Sequence, residues 1–334
     1  MSVSPKSLAI ILAKTIGSGL PVLIKGQPGV GKSDIVAQAC EAAGSDLLIY
    51  HPVVDDPTDY KGMPFIVNGK AVFLPFNNLE KLITADKKTV CFFDDLGQAP
   101  PVVQAAVMQL LLARRINDKK VSDHVTFIAA TNRKSDRAGV SGILEPVKSR
   151  FATILHLEPS LEDWVEWAGN NDMPPELVSF IRFKPQYLNA FEATSDIVNT
   201  PCPRTVANVG SLMKIGLPKN EELKVFAGAA GDAFAIELSA FLKLARTIPD
   251  IDYVYSNPDT VAIPTDPAVL YAFCGAIAHH ANKKNADVFF KLAYRLPQEF
   301  SVFCVNDAIN RDEAIAQTGD YGQWVARNSP AMTR

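Results

Sequence analysis

The sequence lacks several features that would place it in a specialised class of protein. Lys and Arg number 33 against 36 Asp and Glu, and the net charge of −3 argues against a protein that coats nucleic acid by charge alone. The five cysteines form no Cys-x-x-Cys pair, and their odd number fits buried thiols in a reducing compartment better than a disulfide framework. No apolar run reaches the roughly 18 residues of a membrane span. We therefore expect a soluble, cytoplasmic protein.

The length and composition are those of a globular protein with more than one domain. At 334 residues, the chain is longer than the roughly 150 residues of an average domain. It is 48% hydrophobic and 21% charged, which is too apolar for a disordered protein. The apolar stretch at residues 8–13 ends at Lys14 and is too short for a secretory signal. No internal repeat or low-complexity segment is present.

Short apolar segments alternate with helical patterns in the first half of the chain. A short segment that is almost entirely apolar is typical of a strand buried on both faces. The predicted strands are 21–24, 47–50, 90–93, 125–130 and 152–155, and the predicted helices are 4–16, 32–43 and 100–113. This alternation indicates a parallel sheet covered by helices on both faces. The predicted fold class is α/β.

Beyond residue 158 the strand patterns stop. Helical segments are separated there by turns that contain proline, such as Pro174-Pro175 and Pro218. Two of these helices are long and apolar, at 226–245 and at 267–281, and either Thr265 or Asp266 is expected to cap the second. The second half of the chain is therefore predicted to be helical.

Two hairpins are predicted in the first half. Asn68-Gly69 lies between two apolar segments, within residues 65–73, and Asn-Gly readily adopts the positive φ angles of a tight hairpin turn. Arg114-Arg115 and Lys119-Lys120 bracket a second, shorter hairpin just before the strand at 125–130.

One segment has the pattern of a phosphate-binding loop. The pattern G-x-x-x-x-G-K-[ST] is matched by Gly26, Gln27, Pro28, Gly29, Val30, Gly31, Lys32 and Ser33. The glycines let backbone N–H groups face phosphate oxygens, and the following helix adds the positive end of its dipole. Lys32 is expected to reach the β- and γ-phosphates, and the Ser33 hydroxyl to ligate Mg²⁺. The loop lies between a predicted strand and a predicted helix, as this chemistry requires.

Polar residues follow two of the predicted strands. Asp94 and Asp95 end the strand at 90–93, where the first carboxylate can hold Mg²⁺ and the second can polarise the attacking water. Asn132 ends the strand at 125–130, where its amide can orient the water or contact the γ-phosphate. Taken alone, such residues are more often solvated strand ends, and the phosphate-binding loop gives them their functional interpretation.

Two arginines complete the set of candidate residues. Arg150 precedes the strand at 152–155, where it could stabilise phosphate charge on a neighbouring subunit. Arg204 opens a helix in the second half and could reach back over the γ-phosphate. Each is otherwise explained as an ordinary solvated arginine.

Together these motifs resemble an AAA+ ATPase, and within that superfamily the MoxR-like group. The segment D-D-P-T-D-Y-K-G-M-P at residues 55–64 is similar to the one that leads into this group's inserted β-hairpin. The run D-D-L-G-Q-A-P at 94–100 is similar to its D-E-I-N-R-A-P motif. Asn132 matches sensor 1, Arg150 the arginine finger and Arg204 the sensor 2 arginine. The resemblance covers about residues 20–215 and weakens beyond residue 220, where the tail looks like those of phage-associated relatives.

The resemblance implies an architecture, a cofactor and partners. It implies an αβα nucleotide domain, which we place at residues 1–157, and a helical lid, which we place at 158–245. The helical pattern beyond the lid predicts a helical extension over 246–334. The resemblance also implies a homo-oligomer in the form of a hexameric ring, with ATP and Mg²⁺ at the subunit interfaces. Members of the group remodel or activate other proteins, often beside a partner with a von Willebrand factor A domain. The expected activity is hydrolysis of ATP to ADP and phosphate.

The sequence departs from the family pattern at three positions. Asp95 stands where the family usually has Glu, so the attacking water would be held less well and turnover slowed, unless a shifted backbone compensates. Gly97 and Gln98 replace the usual Asn and Arg, which removes one positive charge beside the site.

Other functions remain open on the sequence alone. A nucleic-acid motor would use the four basic residues of the second hairpin, although a solvated turn explains them more simply. A nucleotide-gated scaffold would bind ATP with little turnover. Met63 and Phe65 are candidates for gripping a protein substrate, and hairpin packing explains them equally well. Metal binding by His279-His280 is disfavoured, because adjacent histidines on a helix point about 100° apart. His51 lies at the end of a predicted strand, where a structural role explains it more simply.

Overall fold

The computed structural model describes residues 1–136, 142–194 and 196–332. Contacts between residues divide the chain into two compact units. The first unit comprises Met1–Ser160 and a few residues from Glu192 onward, and the second comprises Leu161–Phe191 and the residues from Asp196 onward. Within the described ranges, no helix combines the length and apolar character needed to cross a membrane.

All strands of the described ranges lie in the first unit. They are β1 (Ser2–Val3), β2 (Val22–Lys25), β3 (Asp46–Tyr50), β4 (Met63–Val67), β5 (Lys70–Leu74), β6 (Thr89–Phe93), β7 (Arg115–Ile116), β8 (Lys119–Lys120), β9 (Val125–Thr131) and β10 (Thr153–Leu157). Six of them form one parallel sheet in the order β1-β10-β2-β9-β6-β3. The predicted parallel sheet is thus confirmed, with β1 as an edge strand too short to predict.

Helices cover the two faces of this sheet, and the alternation of strand side chains explains why. In β6, Val90 and Phe92 pack in a core with residues of the first two helices, whereas Cys91 and Phe93 pack in a core on the opposite face. Both faces are therefore apolar, as the nearly continuous apolar strands predicted. The helices of this unit are α1 (Pro5–Thr15), α2 (Lys32–Ala42), α3 (Thr58–Lys61), α4 (Asn78–Thr84), α5 (Pro101–Ala113) and α6 (Glu145–Lys148).

The hairpin predicted at 65–73 is present as β4 and β5, which pair antiparallel. Asn68 and Gly69 have φ angles of 50° and 75°, so both central residues of the turn adopt the predicted positive φ. Met63 and Phe65 are 47% and 50% exposed, so packing within the hairpin does not bury them. The hairpin thus presents an apolar surface to solvent.

The segment before this hairpin is fixed by its own hydrogen bonds. The Asp56 carboxylate accepts hydrogen bonds from the backbone N–H and the hydroxyl of Thr58, and these bonds hold the pKa of Asp56 below its usual value. The buried Tyr60 donates its hydroxyl to Asp55 at 2.6 Å. Asn117, in the turn of the second hairpin, donates to the carbonyl of Lys61 at 2.6 Å. The base of the hairpin is therefore held from both sides.

Replacing Gly62 with alanine is expected to loosen the hairpin. Gly62 has φ 85° and ψ 175°, a region that only glycine enters readily, and an added Cβ would lie 2.4 Å from the carbonyl oxygen of Leu74. Strain of about 1–3 kcal/mol should raise amide hydrogen exchange over residues 63–74 about tenfold or more. Gly69→Ala is the matched control, since its φ is also positive but its Cβ would meet nothing within 4 Å. Equal exchange in the two variants would contradict the role of the close approach to Leu74.

The described part of the second unit is helical. Its helices are α7 (Leu161–Asn170), α8 (Pro175–Phe183), α9 (Pro203–Lys214), α10 (Glu222–Ala230), α11 (Asp232–Ala245), α12 (Ile251–Ser256), α13 (Pro267–His280), α14 (Ala286–Arg295), α15 (Gln298–Arg311) and α16 (Gly319–Met332). The cap of α13 is Asp266, whose carboxylate accepts from the N–H groups of Ala268 and Val269.

The prediction of one continuous helix over 226–245 is wrong. Gly231, at φ 90° and ψ 159°, separates α10 from α11, so the chain turns at this residue. An added Cβ at Gly231 would lie 3.0 Å from the carbonyl oxygen of Asn199. The apolar pattern continues across the break because both helices bury residues in the same core, which is why periodicity alone did not reveal it.

Two hydrophobic cores lie within the second unit. One is formed mainly by α7 to α11 around Phe180 and Phe234, and the other by α12 to α16 around Phe289 and Trp324. The division of this region into a lid over 158–245 and an extension over 246–334 stays a prediction.

A buried ion pair joins α8 to α15. Arg182 donates to the carboxylate of Asp307 and lies over the ring of Phe303 at 5.4 Å. Burial raises the pKa of Asp307 although the Arg182 guanidinium beside it acts in the opposite direction. Desolvation offsets much of the attraction between the charges of a buried ion pair, so such a pair contributes little net stability.

Candidate nucleotide-binding site

The segment with the phosphate-loop pattern lies between β2 and α2, as predicted. Gly29 and Gly31 have φ angles of 73° and 91°, so two of its glycines adopt conformations that disfavour other residues. Helix α2 begins at Lys32, directly after Gly31, and the Gly26 N–H donates to the carbonyl of Thr131 at the end of β9. The loop is therefore attached to the sheet at one end and to a helix N-terminus at the other, a ready position for anion binding.

Lys32 is buried, with only 7% of its surface exposed. Its ammonium group donates to the carbonyl oxygens of Gly26 and Gln27 at 3.2 and 2.9 Å, and to Asn132 Oδ1 at 2.6 Å. A buried ammonium needs such oxygen partners. Lys32 and Asn132, 100 positions apart in the sequence, are thus brought into direct contact.

Ser33 and Asp94 form a second contact of the site. The Ser33 hydroxyl donates to Asp94 Oδ2 at 2.7 Å. The backbone N–H of Asp94 donates to the carbonyl of Tyr50 at 3.0 Å, which fixes the chain where it leaves β6. A hydroxyl and a carboxylate side by side supply the hard oxygen ligands that Mg²⁺ takes in proteins, so these residues fit the predicted metal.

Asp95 is held in an unusual backbone conformation. Its φ and ψ angles are 56° and 35°, in the left-handed region that Asp and Asn tolerate better than other non-glycine residues. Its carboxylate oxygen Oδ1 accepts from Asn132 Nδ2 at 3.1 Å. The backbone at Asp95 therefore differs from that of an ordinary strand end. It is the kind of shifted backbone that would be needed to compensate for a side chain one methylene shorter than that of glutamate.

The sheet topology explains why these residues converge. Strand β2 pairs with β9 and β9 with β6, all in parallel, so the carboxyl ends of the three strands meet at one edge. Residues that follow them, at 26–33, 94–95 and 132, therefore gather there.

Arg133 and Asp136 belong to this neighbourhood and were not predicted. Arg133 Nη2 donates to the side-chain oxygen of Gln27 at 3.1 Å, and Arg133 Nε donates to both carboxylate oxygens of Asp136 at 3.0 and 3.1 Å. The signal that could have found them is the Arg-x-x-Asp spacing directly after Asn132, since side chains three residues apart in a turn can pair.

The two predicted arginines lie outside this network of hydrogen bonds. Arg150 is exposed, two residues after α6. Arg204 is exposed at the second position of α9, in the other unit. Their predicted roles as arginine finger and sensor 2 stay predictions.

The second predicted hairpin, which carries four basic residues, is present as β7 and β8. One of these residues, Arg114, contacts the protein interior. Arg114 Nη2 donates to the carbonyls of Ser122 and Val125 at 3.0 and 2.8 Å, and its guanidinium lies 5.3 Å from the centre of the Phe127 ring. Lys120 pairs with Asp123 at 2.7 Å. Arg114 therefore supports the hairpin and does not belong to a row of exposed charges.

The cysteines are free and buried, as predicted. Burial raises the pKa of the Cys40 thiol to about 11, so this thiol is protonated at neutral pH. No group of three or more His, Cys, Asp or Glu side chains suited to a metal ion occurs in the described part of the chain. The His280 ring packs against Tyr255 at an angle of 55°, with 4.6 Å between the ring centres.

Comparison with known proteins finds one protein-family model that matches most of the first unit. The family model of the AAA domain, dynein-related subfamily, matches residues 21–151. No curated protein matches the chain. Among solved structures, the RuvB Holliday junction branch migration motor of Thermotoga maritima is similar over 74% of this chain and 75% of that chain, at 16% identity and a TM-score of 0.41. NtrX from Brucella abortus in complex with ADP is similar over 89% of this chain and 64% of that chain, at 11% identity and a TM-score of 0.42. Residues 21–151 are thus similar to the AAA domain of the dynein-related subfamily. The assignment of the whole chain to the AAA+ ATPases, and within them to the MoxR-like group, stays a prediction.

Proposed function

We propose that this protein is a Mg²⁺-dependent ATPase of the MoxR-like type, which assembles as a ring and couples ATP hydrolysis to remodelling of a protein partner. The observation that carries the proposal is the joining of three separate segments by short hydrogen bonds: Lys32 to Asn132 at 2.6 Å, and Ser33 to Asp94 at 2.7 Å. Each contact pairs the phosphate-loop segment with a residue at the end of a different strand.

Lys32 and the loop at 26–33 would bind the phosphates. The ammonium of Lys32 can exchange its present oxygen partners for phosphate oxygens without leaving a polar environment. Ser33 and Asp94 would hold Mg²⁺, which when bound neutralises phosphate charge during the transfer. The Ser33 hydroxyl and the Asp94 carboxylate already lie side by side, so little rearrangement would be needed.

Asp95 and Asn132 would act on the attacking water. The Asp95 carboxylate can accept a hydrogen bond from this water and orient it, and the Asn132 amide, which now donates to Asp95, can contact the γ-phosphate. The two side chains are coupled, because Asn132 contacts both Lys32 and Asp95.

The proposals of a ring and of a protein partner are supported by the resemblance to the MoxR-like group and by the exposure of Arg150. Arg150 is exposed, as a residue that acts on the site of a neighbouring subunit must be. Arg204 would link the lid to ATP. A hexameric ring, a protein client and a partner with a von Willebrand factor A domain follow from the MoxR-like assignment. The five buried thiols support a reducing, cytoplasmic location.

The ring predicts activity that depends on protein concentration. Phosphate release per subunit should rise with concentration, because each site needs Arg150 from a neighbour. Arg150→Ala should lower the plateau by a factor of about 10³ or more, as for other arginine fingers. Lys148→Ala, which removes a nearby charge paired with Glu145, is the matched control and should leave the rate within about twofold.

Mixing variants tests whether Arg150 acts between subunits. Arg150→Ala keeps its own water-positioning Asp95, whereas Asp95→Asn keeps its arginine. A mixture of the two should therefore regain activity that neither variant shows alone. A mixture as inactive as its components, with Lys148→Ala fully active, would contradict the proposed interface.

The conformation of Asp95 favours a second candidate function, a nucleotide-gated scaffold with little turnover. The shorter acid lies at φ 56° and is engaged by Asn132, and both features could slow its action on water. The scaffold predicts ATP-dependent assembly with negligible phosphate release, measured by sedimentation and a phosphate assay on the same sample.

A further inference from the structure

Arg133 joins two parts of the candidate site. Its Nε donates to both carboxylate oxygens of Asp136, and its Nη2 donates to Oε1 of Gln27 at 3.1 Å. The side chain of Asp136 is only 5% exposed and that of Arg133 27%. A buried carboxylate thus holds one edge of the guanidinium while another edge reaches the phosphate loop, a geometry that the planar fork of arginine permits.

These contacts complete a closed network of hydrogen bonds within one chain, which links Gln27, Lys32, Asn132 and Arg133. The Gln27 carbonyl accepts from Lys32 Nζ at 2.9 Å, and the same ammonium donates to Asn132 Oδ1 at 2.6 Å. Asn132 is covalently joined to Arg133, which returns to Gln27 through its side chain. Moving the loop relative to the end of β9 would break at least one of these bonds. The bond from Arg133 to Gln27 does not involve Lys32, so it can restrain the first turn of the loop also when Lys32 exchanges its partners for phosphate oxygens.

We propose that Arg133 is a positioning residue for nucleotide binding, which holds the phosphate loop at Gln27 in its binding conformation. The inference rests on the proposed function, because the loop must bind phosphate for its conformation to matter. A loop that is already ordered loses less conformational freedom on binding, so removing the restraint should weaken affinity. Asp136 supplies the fixed point from which Arg133 acts.

A simpler role would confine Arg133 to folding of the segment 131–136 through its ion pair with Asp136. The two roles differ in what a nucleotide titration measures. A folding defect lowers the fraction of protein that binds, and so the amplitude of the titration. A positioning role moves the midpoint, because every folded molecule binds more weakly.

The test is a titration of the 334-residue chain with fluorescent mant-ADP in Mg²⁺ buffer. Arg133→Lys keeps a positive charge near Asp136 but lacks the fork needed to reach both partners. Gln27→Met removes the acceptor on the loop and leaves the Arg133–Asp136 pair intact. We expect each variant to raise Kd about tenfold, the value of one charge-assisted hydrogen bond. The double variant should be no weaker than either single variant, because both remove the same contact.

Lys134→Met is the control, since Lys134 is an exposed cation of the same segment and should bind mant-ADP like the wild type. Wild-type affinity in Arg133→Lys would overturn the proposal, as would a double variant whose loss is the product of the single losses. A reduced amplitude with an unchanged midpoint would also overturn it. A wild-type chain that binds no mant-ADP would instead overturn the proposed function itself.

Discussion

Lys32→Ala is expected to weaken nucleotide binding about a hundredfold or more. It should also reduce phosphate release to the background rate measured without protein. The ammonium belongs to a side chain that is 7% exposed and is surrounded by oxygen acceptors, which would be replaced by phosphate oxygens in the complex. Two charge-assisted hydrogen bonds to phosphate contribute about 3 kcal/mol or more, which corresponds to about a hundredfold in affinity. Alanine supplies neither bond, so binding and turnover should fall together.

The matched control for this change is Lys25→Ala. Lys25 is the last residue of β2, just before the loop that leads to Lys32, and its side chain is exposed. Both variants lose one positive charge near the loop, so a general effect of charge on ATP would appear in both. Binding of mant-ADP by Lys32→Ala within about threefold of the wild type would contradict the proposed phosphate contact.

Folding of the variants needs a probe placed in the first unit. Trp164, Trp167 and Trp324, which are the three tryptophans of the chain, all lie in the second unit. Tryptophan fluorescence would therefore miss local unfolding around the site. Amide hydrogen exchange over β2, β6 and β9 would detect it, because these strands form the centre of the sheet.

The sheet and the main residues of the site could be predicted from the sequence because both follow from the geometry of a buried parallel sheet. Strands buried on both faces must be apolar throughout, so Val90–Phe93 and residues 125–130 stand out from their surroundings. Once the sheet is parallel, polar residues at strand ends must meet at one edge, and Asp94 and Asn132 follow directly.

What the sequence did not reveal depends on tertiary contacts. Gly231 divides an apolar pattern that otherwise reads as one helix, because both resulting helices share a core. Arg114, in a run of charged residues, would be expected on the surface, yet it donates to two carbonyls and lies over the ring of Phe127. The contact of Arg133 with Gln27, 106 positions away in the sequence, is visible only in the folded chain. Periodicity carries information about faces and not about such pairings.

Asp95→Asn is expected to lower phosphate release by a factor of about 10² or more while leaving nucleotide affinity within about twofold. Asparagine tolerates the left-handed conformation at φ 56°, and its amide oxygen can still accept from Asn132, so the local geometry should persist. Only the negative charge that polarises water is lost. Unchanged phosphate release in Asp95→Asn, measured at saturating ATP, would show that another group performs this role.

Asp95→Glu then separates the ATPase from the scaffold. Glutamate is less tolerant of the left-handed region, so this variant should lose about 1 kcal/mol of stability, read from hydrogen exchange near β6. If the wild type is an ATPase, its backbone already places the shorter carboxylate correctly, and the longer side chain should give no faster turnover. If the wild type is a scaffold limited by reach, glutamate should raise phosphate release well above the wild-type rate. Asp95→Asn removes the charge of the side chain and keeps its length, whereas Asp95→Glu keeps the charge and adds one methylene. The two variants together therefore show whether the charge or the length of this side chain limits the rate of ATP hydrolysis.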